Sequence, residues 1–346
     1  MVLSFNDDTG VPSNFETKFL SNITNKTNLN NYLSNKFLEH HQGKESVLVV
    51  TSEDSVVSNY AEVHSESNIM KCTSEEADVR IIRHVINLSR KGYTKISVKT
   101  VDSDVVILCL AYAGITNQNG VKNYVVIYGP KQKKIDIVDN YNKFGADICK
   151  ALPFYHAFTG CDTVSSFYKV GKTKFWVIWQ SKIKAGDNSL TNIFRRLSNC
   201  PLDIQIDDFN ALCNFVYEAY GLTKASSFKS RRTDQLIFTP NINLRALVPS
   251  PSGILQHIKR ACIQAGYLWK LCELEIVIPN PIEWGWKVIP DGFFVPRWQD
   301  ENVADLTGVL SLCTCVKGVC TSCSCSKAGV KCLIYCKCDK ENCKSK

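Results

Sequence analysis

The sequence predicts an α/β protein in which a mostly parallel sheet with flanking helices is followed by a helical region and by a small, irregular module rich in cysteine. Three observations support this fold class. Strand-like and helical patterns alternate between residues 43 and 180, as they do where helices connect parallel strands. Helical patterns alone fill residues 190–223. The last 34 residues hold nine of the chain's 17 cysteines.

The chain divides into four predicted regions. Residues 1–42 contain a polar start, expected to be disordered, and a helix predicted over residues 15–42 by the spacing of its apolar side chains. The α/β domain is predicted at residues 43–180, and a helical, Pro- and Trp-rich region at residues 181–312. The cysteine-rich module occupies residues 313–346.

The first half of the α/β domain contains two predicted strand-and-helix units. The apolar run at residues 47–50 predicts a buried strand. The segment from Thr73 to Glu76 has the pattern of a capping box and predicts the start of a helix that ends near Gly92. Alternating apolar residues at 96–100 predict a strand, and the apolar run at 105–113 predicts the next helix.

The rest of the chain is predicted to be mainly helical. Two further strands are predicted at residues 124–128 and 135–138, joined through a Gly-Pro pair and a lysine-rich turn, and a short helix at residues 143–151. A later helix is predicted over residues 254–271. The Pro- and Trp-rich residues 279–298 are expected to have little regular structure.

Charge and apolar content exclude several classes of protein. The net charge is +8, of which seven lysines and two acids give the last 34 residues +5 and leave about +3 for the rest. No apolar run reaches the roughly 18 residues of a membrane helix, and the start lacks the features of a signal peptide. We therefore expect a reducing compartment, the nucleus or alternatively the cytoplasm, and neither secretion nor membrane insertion.

The cysteine module has too few apolar side chains to close a core, so zinc or disulfides must hold it. An odd number of cysteines argues against complete disulfide pairing. Zinc takes four ligands, so nine cysteines can serve three zinc ions if three of them bridge, or two four-cysteine sites with one thiol left over. The candidate zinc ligands are Cys313, Cys315, Cys320, Cys323, Cys325, Cys332, Cys336, Cys338 and Cys343.

The spacing of these cysteines resembles a single repeat of the tesmin-type CXC domain, a trinuclear zinc module that binds DNA. The resemblance implies about three zinc ions and DNA contacts through Lys327 and Tyr335. Tesmin-type repeats carry a tyrosine before the fourth cysteine, where this chain has Ser322. With three zincs on nine thiolates the formal charge falls to about +2, a mild patch for phosphate. A structural zinc module that contacts proteins is the alternative.

Five acidic residues are the candidate catalytic groups: Glu76, Asp78, Asp102, Asp104 and Asp162. The pair around residue 103 follows the carboxyl end of a predicted strand, where open α/β sheets place their sites. Clustered carboxylates repel one another unless a cation neutralises them. Mg²⁺ or Mn²⁺ prefers such oxygens, and paired ions serve phosphodiester cleavage.

Each acidic residue also has an ordinary structural interpretation. Glu76 could be a first-turn helix acid favoured by the helix dipole, and Asp102 or Asp104 could cap the next helix. Asp162 could be a turn residue. We interpret His156, six residues before Asp162, as a packed or surface histidine rather than an acid–base group.

In their order along the chain, Glu76-Ala-Asp78, Asp102-Ser-Asp104 and Gly160-Cys-Asp162 resemble the flap-endonuclease branch of PIN-like nucleases, over about residues 73–180. The resemblance implies a PIN-like parallel sheet and carboxylates around two magnesium ions. The turn Lys169-Val-Gly171-Lys172 resembles the glycine–lysine turn of that family's helical clamp on the DNA backbone. The resemblance makes Lys169, Gly171 and Lys172 candidate DNA contacts.

The sequence thus predicts a nucleic-acid-binding protein with a PIN-like, metal-dependent nuclease core and a DNA-binding zinc tail; DNA is the expected partner and RNA the second. Flap endonucleases also use aspartates near the start of the domain, where Asp54 is the nearest counterpart. The core is therefore either active, degenerate or preceded by a missing segment, and a non-catalytic adaptor binding DNA or protein is the alternative. The stretches LPFYHAFTGCDT and IEWGW with the cysteine-rich end also resemble a multi-copy invertebrate family, which suggests a mobile-element origin and implies no activity.

Overall fold

The computed structural model describes residues 5–10, 14–15, 19–52, 55–60, 76–222, 246–273 and 275–299. Within these residues the chain is a mixed α/β structure dominated by helices, which confirms the coarse fold class. The predicted zinc module lies outside the described residues, as do Lys327 and Tyr335. None of the helices that the structure describes is both long and apolar enough to cross a membrane.

The N-terminal part consists of one helix and one hairpin. Helix α1 (Ile23–His41) begins eight residues later than predicted because the Asn22 side chain accepts hydrogen bonds from the first backbone N–H groups. Strands β1 (Val49–Ser52) and β2 (Ser55–Ser58) pair antiparallel, close to the strand predicted at residues 47–50.

The central sheet follows in the order β3 (Lys95–Thr100), β4 (Asn123–Tyr128) and β5 (Lys133–Asp136). Helix α2 (Ala77–Arg90) leads into β3, and helix α3 (Ser103–Gln118) connects β3 to β4. This connection makes β3 and β4 parallel, as the alternation of strand and helix predicted.

The prediction of a mostly parallel sheet is wrong for the strands that the structure describes. Only one of their four pairings is parallel, because β5 returns antiparallel to β4 after a short turn, and short turns join antiparallel strands. The strand predicted at 135–138 is also cut short. The Asp136 side chain accepts a hydrogen bond from the Asp139 amide and starts helix α4 (Ile137–Phe144) there.

Helices pack around α5 (Ala146–Phe158), which is buried along most of its length. The helix predicted at residues 143–151 is instead the junction of α4 and α5 at Gly145, whose φ of +82° glycine adopts without strain. The remaining helices are α6 (Lys172–Lys184), α7 (Ser189–Leu197), α8 (Ile206–Ala219) and α9 (Pro251–Cys262).

One hydrophobic core extends across the boundary predicted at residue 180. Aromatic side chains from both sides of it, including Phe154, Trp179, Phe194 and Phe215, are completely or almost completely buried in one cluster. Burial of each such side chain contributes about 2–3 kcal/mol. The cleft described below can therefore draw its residues from both predicted regions.

The helix predicted over residues 254–271 changes its winding part-way. Helix α9 continues into a π-helical turn (Ile263–Leu268) and a 3₁₀ turn (Trp269–Cys272). The backbone of the π turn packs closely, since a β-carbon on Gly266 would lie 2.7 Å from the Leu197 carbonyl oxygen. The Pro- and Trp-rich stretch has more regular structure than predicted: a 3₁₀ turn (Pro281–Trp284) and a short antiparallel hairpin.

The strands of that hairpin are β6 (Trp286–Val288) and β7 (Phe294–Pro296). The residues that follow β7 reach back to α9. There they form one wall of the cleft that holds the acidic residues.

Candidate metal centre

Three of the five predicted acidic residues converge at the N-termini of two adjacent helices. Asp78 lies in the first turn of α2, and Asp102 and Asp104 lie at the start of α3, directly after β3. One carboxylate oxygen from each of these residues lies within 4.8 Å of the other two. Asp78 therefore meets a pair of carboxylates that lie 24 and 26 positions further along the chain, at the end of the strand where the site was predicted.

Asp102 is a helix cap and a member of this cluster at the same time. Its Oδ1 accepts a hydrogen bond of 2.9 Å from the Asp104 amide, and its own amide donates to Thr100 Oγ1. The capping interpretation of Asp102 is thus correct, but it uses only one of the two carboxylate oxygens. The helix N-terminus also favours negative charge at this position.

Glu76 precedes α2 rather than occupying its first turn, so the predicted capping box does not form as expected. Its side chain makes no cap hydrogen bond; both of its oxygens accept from Gln264 Nε2, at 2.9 and 3.1 Å. Thr73, the other half of the predicted box, lies outside the described residues. Gln264 Oε1 in turn accepts from Thr163 Oγ1 at 2.7 Å. The buried amide of the π turn therefore links Glu76 to the loop that carries Asp162.

His156 is buried, as the packed-histidine interpretation expected, but it also contacts the acidic cluster. Its Nε2 lies 2.7 Å from Asp104 Oδ1, and the two side chains are only 6% and 13% exposed. An imidazole N–H donated to a carboxylate fixes the orientation of that carboxylate, as second-shell groups do at metal sites.

Asp162 lies in an exposed loop between α5 and α6 whose base is tightly built. Gly160 has φ +110°, and a β-carbon there would lie 2.7 Å from Ser166 Cβ. The Lys172 ammonium donates to three acceptors at the end of α5: the carbonyl oxygens of His156 and Gly160, and Thr159 Oγ1. These bonds use all three donors of the lysine.

The charges of the other four acidic residues all act on Asp78. Burial, together with the charges of Asp102, Asp104, Glu76 and Asp162, raises the pKa of Asp78 to about 7. Burial is also the main reason why the pKa of Glu76 is raised, although its hydrogen bonds from Gln264 act in the opposite direction. The charged forms of Asp78 and Glu76 are therefore unfavourable without a compensating cation.

The donor set fits a hard divalent cation. Mg²⁺ takes oxygen ligands at about 2.0–2.1 Å, so two of its ligands lie at most about 4.2 Å apart. Oxygens within 4.8 Å of one another need only small side-chain rotations to reach such a distance. Asp78, Asp102 and Asp104 are thus the residues that could hold the ion.

Three of the five acidic residues line a cleft of about 620 Å³. Asp102, Asp104 and Asp162 line it together with residues from the loop after α5 and from the far end of the described chain. Its other lining residues are Ser103, His156, Gly160, Cys161, Thr163, Val164, Ser165, Ser166, Lys172, Arg260, Pro296 and Trp298.

Similarity to known proteins adds no assignment. No family model matches this chain, and no curated protein or solved structure matches it. The PIN-like and CXC-type resemblances accordingly stay predictions that rest on sequence motifs.

The predicted DNA contacts have different environments. Lys172 lines the cleft, but its ammonium is bonded to the protein as described above. Lys169 is exposed, and its ammonium lies over the Tyr168 ring, 5.7 Å from the centroid. Gly171 is the cap of α6 with φ −84°, a conformation open to any residue. Contact of these residues with DNA stays a prediction.

Sequence reasoning missed the polar residues that α9 and the π turn contribute. Gln256, Arg260 and Gln264 recur every four residues and are all buried, as is the adjacent His257. Polar residues that recur every four positions within a predicted helix are a signal that could have pointed to them. The partners of His257, Arg260 and Gln264 lie far away along the chain and leave no local pattern.

Proposed function

We propose that this chain is a phosphodiesterase that depends on a divalent cation and acts on nucleic acid. The observation that carries the proposal is the meeting of Asp78, Asp102 and Asp104 oxygens within 4.8 Å, with the charges of Glu76 and Asp162 close enough to raise the pKa of Asp78. Such clusters of carboxylates on strand ends and helix N-termini suit Mg²⁺ or Mn²⁺.

A cation in this cluster would supply a water of lowered pKa and would neutralise charge on the phosphate. The chain's own residues would hold it: three carboxylates as ligands, and His156 fixing Asp104 from behind. In the hydrolysis, the water oxygen forms a bond to phosphorus and one ester P–O bond breaks. The attacking water loses a proton to solvent, and the leaving oxygen takes up a proton from solvent to become a hydroxyl group.

The finer fold and the tail belong to the same proposal. The parallel pair β3–β4 and the carboxylates at the end of β3 support a PIN-like core, although β5 makes the sheet mixed. The nine tail cysteines would hold about three zinc ions and tether the protein to DNA, which raises the effective concentration of substrate. DNA is the expected substrate, RNA the second, and the nucleus the expected location.

A non-catalytic nucleic-acid- or protein-binding adaptor is the second candidate. Among the described residues only three acidic groups lie within ligand distance of one another. A two-metal hydrolysis site needs more oxygen ligands than three carboxylates offer. This observation favours a protein that keeps the fold and a weak cation site but cleaves slowly or not at all.

The two candidates are separated by an assay on the full chain with labelled single-stranded and flap DNA, with and without Mg²⁺ or Mn²⁺. The test variant is Asp102→Asn/Asp104→Asn, because Asn retains helix capping and removes the charge. The matched control is Asp136→Asn/Asp139→Asn, the cap and first-turn pair of α4, which lies outside the cluster.

We expect cleavage that depends on the added ion in the wild type and in the control, and its loss in the test variant. Cleavage that survives in Asp102→Asn/Asp104→Asn would refute the assignment of the site. A wild-type chain that retains DNA without cutting it would support the adaptor.

A further inference from the structure

The cleft has a second functional wall, formed by two residues that the cation site does not use. Arg260 comes from α9, and Trp298 follows β7. Both line the same cleft as Asp102, Asp104 and Asp162.

Arg260 is a buried cation without a carboxylate partner among the described residues. The residue is only 2% exposed. Nη1 donates to the carbonyl oxygens of Gly285 and Arg297 at 3.0 and 2.7 Å, and Nη2 lies 3.5 Å from Ser165 Oγ. Nε has no hydrogen-bond partner within that part of the chain. Burial of a guanidinium is costly when, as in this part of the chain, its partners are carbonyl and hydroxyl oxygens and no carboxylate. The wall therefore carries a positive charge that a bound anion would compensate.

Trp298 lies on this guanidinium, with Arg260 Cζ 5.4 Å from its ring centroid. The residue is nevertheless 64% exposed. The backbone that leads to it is fixed, because Arg260 holds the Arg297 carbonyl oxygen and the Arg297 amide donates to Gly285 at 2.9 Å. The cleft thus presents an indole ring that is supported by a cation and held on an anchored segment.

We propose that the Trp298 ring stacks on an unpaired nucleobase of the substrate, while Arg260 supports the ring and attracts a neighbouring phosphate. The substrate class rests on the proposed function. Stacking of bases on aromatic side chains binds single strands of any sequence, because every base has a flat π-face. The cleft of 620 Å³ has the volume of a site for a nucleotide-sized ligand, and a base must leave a duplex to enter it.

The chemistry of the cleft favours this ligand over a protein segment. The ring is set among carboxylates, hydroxyl groups and the guanidinium of Arg260 rather than within an apolar groove. A phosphate can be bound by the cation and attracted by the charge of Arg260, and a base can stack on the indole. These are the two parts of a nucleotide, and no apolar peptide offers both.

The test measures binding, in the Asp102→Asn/Asp104→Asn background, so that the probe stays intact whether or not the wild type cleaves it. The probe is a short fluorescent oligothymidylate, compared by anisotropy with the same strand carrying abasic residues. The variants are Trp298→Leu and Trp298→Phe. The control is Phe293→Leu, an aromatic residue 69% exposed and outside the cleft lining.

We expect Trp298→Leu to weaken binding of the oligothymidylate about tenfold, and Trp298→Phe to retain most of the affinity. Phe293→Leu should leave it unchanged. The abasic strand should bind with equal affinity to the protein with Trp298 and to Trp298→Leu. Unchanged affinity in Trp298→Leu, or an equal loss for the abasic strand, would overturn the inference. If Trp298→Leu weakens binding of the oligothymidylate alone but the wild type never cleaves DNA, the proposed phosphodiesterase function is wrong and the stacking site is retained.

Discussion

Removal of one charge from the acidic cluster should make the cation-free protein more stable. Burial and four neighbouring carboxylates raise the pKa of Asp78 from 3.8 to about 7. A pKa shift of that size means that folding disfavours the charged carboxylate, relative to the neutral form, by about 4 kcal/mol. Water that reaches the partly exposed carboxyl screens roughly half of it, which leaves about 2 kcal/mol. Asp78→Asn should therefore raise the free energy of unfolding by about 2 kcal/mol at pH 8.

The same reasoning fixes the pH dependence. Between pH 3.8 and about 7 the folded wild type holds a proton that the unfolded chain has released. Its free energy of unfolding should therefore fall as the pH rises through this window and level off above it. Asp78→Asn should lack the contribution of Asp78 to this fall. The difference in stability between the two proteins should therefore be smallest near pH 4 and largest at about pH 7 and above.

The assay is urea unfolding of both proteins in magnesium-free buffer across this pH range, repeated with Mg²⁺. The control, Asp139→Asn, removes an exposed carboxylate paired with Lys143 and should lose about 0.5 kcal/mol or less. Added Mg²⁺ should stabilise the wild type more than Asp78→Asn. If Asp78→Asn is no more stable than the wild type at pH 8, the carboxylates do not repel one another as described.

Three further predictions concern the loop, the π turn and the tail. Gly160→Ala should lower the free energy of unfolding in urea by about 2–4 kcal/mol, because it adds a steric clash to a positive φ. Gly120→Ala, with φ +83° and open space around it, should lower it by about 1 kcal/mol, and equal losses would show that the clash is relieved. Gln264→Leu should lower the free energy of unfolding by about 2–3 kcal/mol, because it removes the hydrogen bonds that Gln264 Nε2 donates to the Glu76 carboxylate. Substitution of the exposed Gln118 by Leu should be nearly neutral, and a neutral Gln264→Leu would contradict the role given to the Gln264 amide. Elemental analysis should find about three zinc ions per chain in residues 313–346, and a value near zero would end the zinc proposal.

The sequence predicted the acidic part of the site because the information there is local. An alternating strand that runs into Asp102-Ser-Asp104 indicates a strand end followed by a capped helix, and both are found. Adjacent strand ends and helix starts in an α/β sheet lie on the same side, so the convergence with Asp78 followed from the fold class.

The remaining features depend on contacts between distant residues. Gln264 meets Glu76 across 188 positions of sequence, and His156 meets Asp104 across 52, so no periodic pattern records either contact. The mostly parallel sheet was predicted from the order of elements alone. In the structure, the short turn before β5 makes this strand antiparallel to β4, and the cap at Asp136 ends it early. Both features are visible in the local sequence, but the prediction gave more weight to the strand pattern.

The most direct test of the central claim is a calorimetric titration of the full chain with Mg²⁺. Thiolates of the cysteine module bind soft metals in preference to Mg²⁺, so this ion reports on the carboxylates. We predict saturable binding in the wild type and in Asp136→Asn/Asp139→Asn, and none in Asp102→Asn/Asp104→Asn. Equal binding by all three proteins, or no binding by the wild type, would contradict a cation site at the start of α2 and α3.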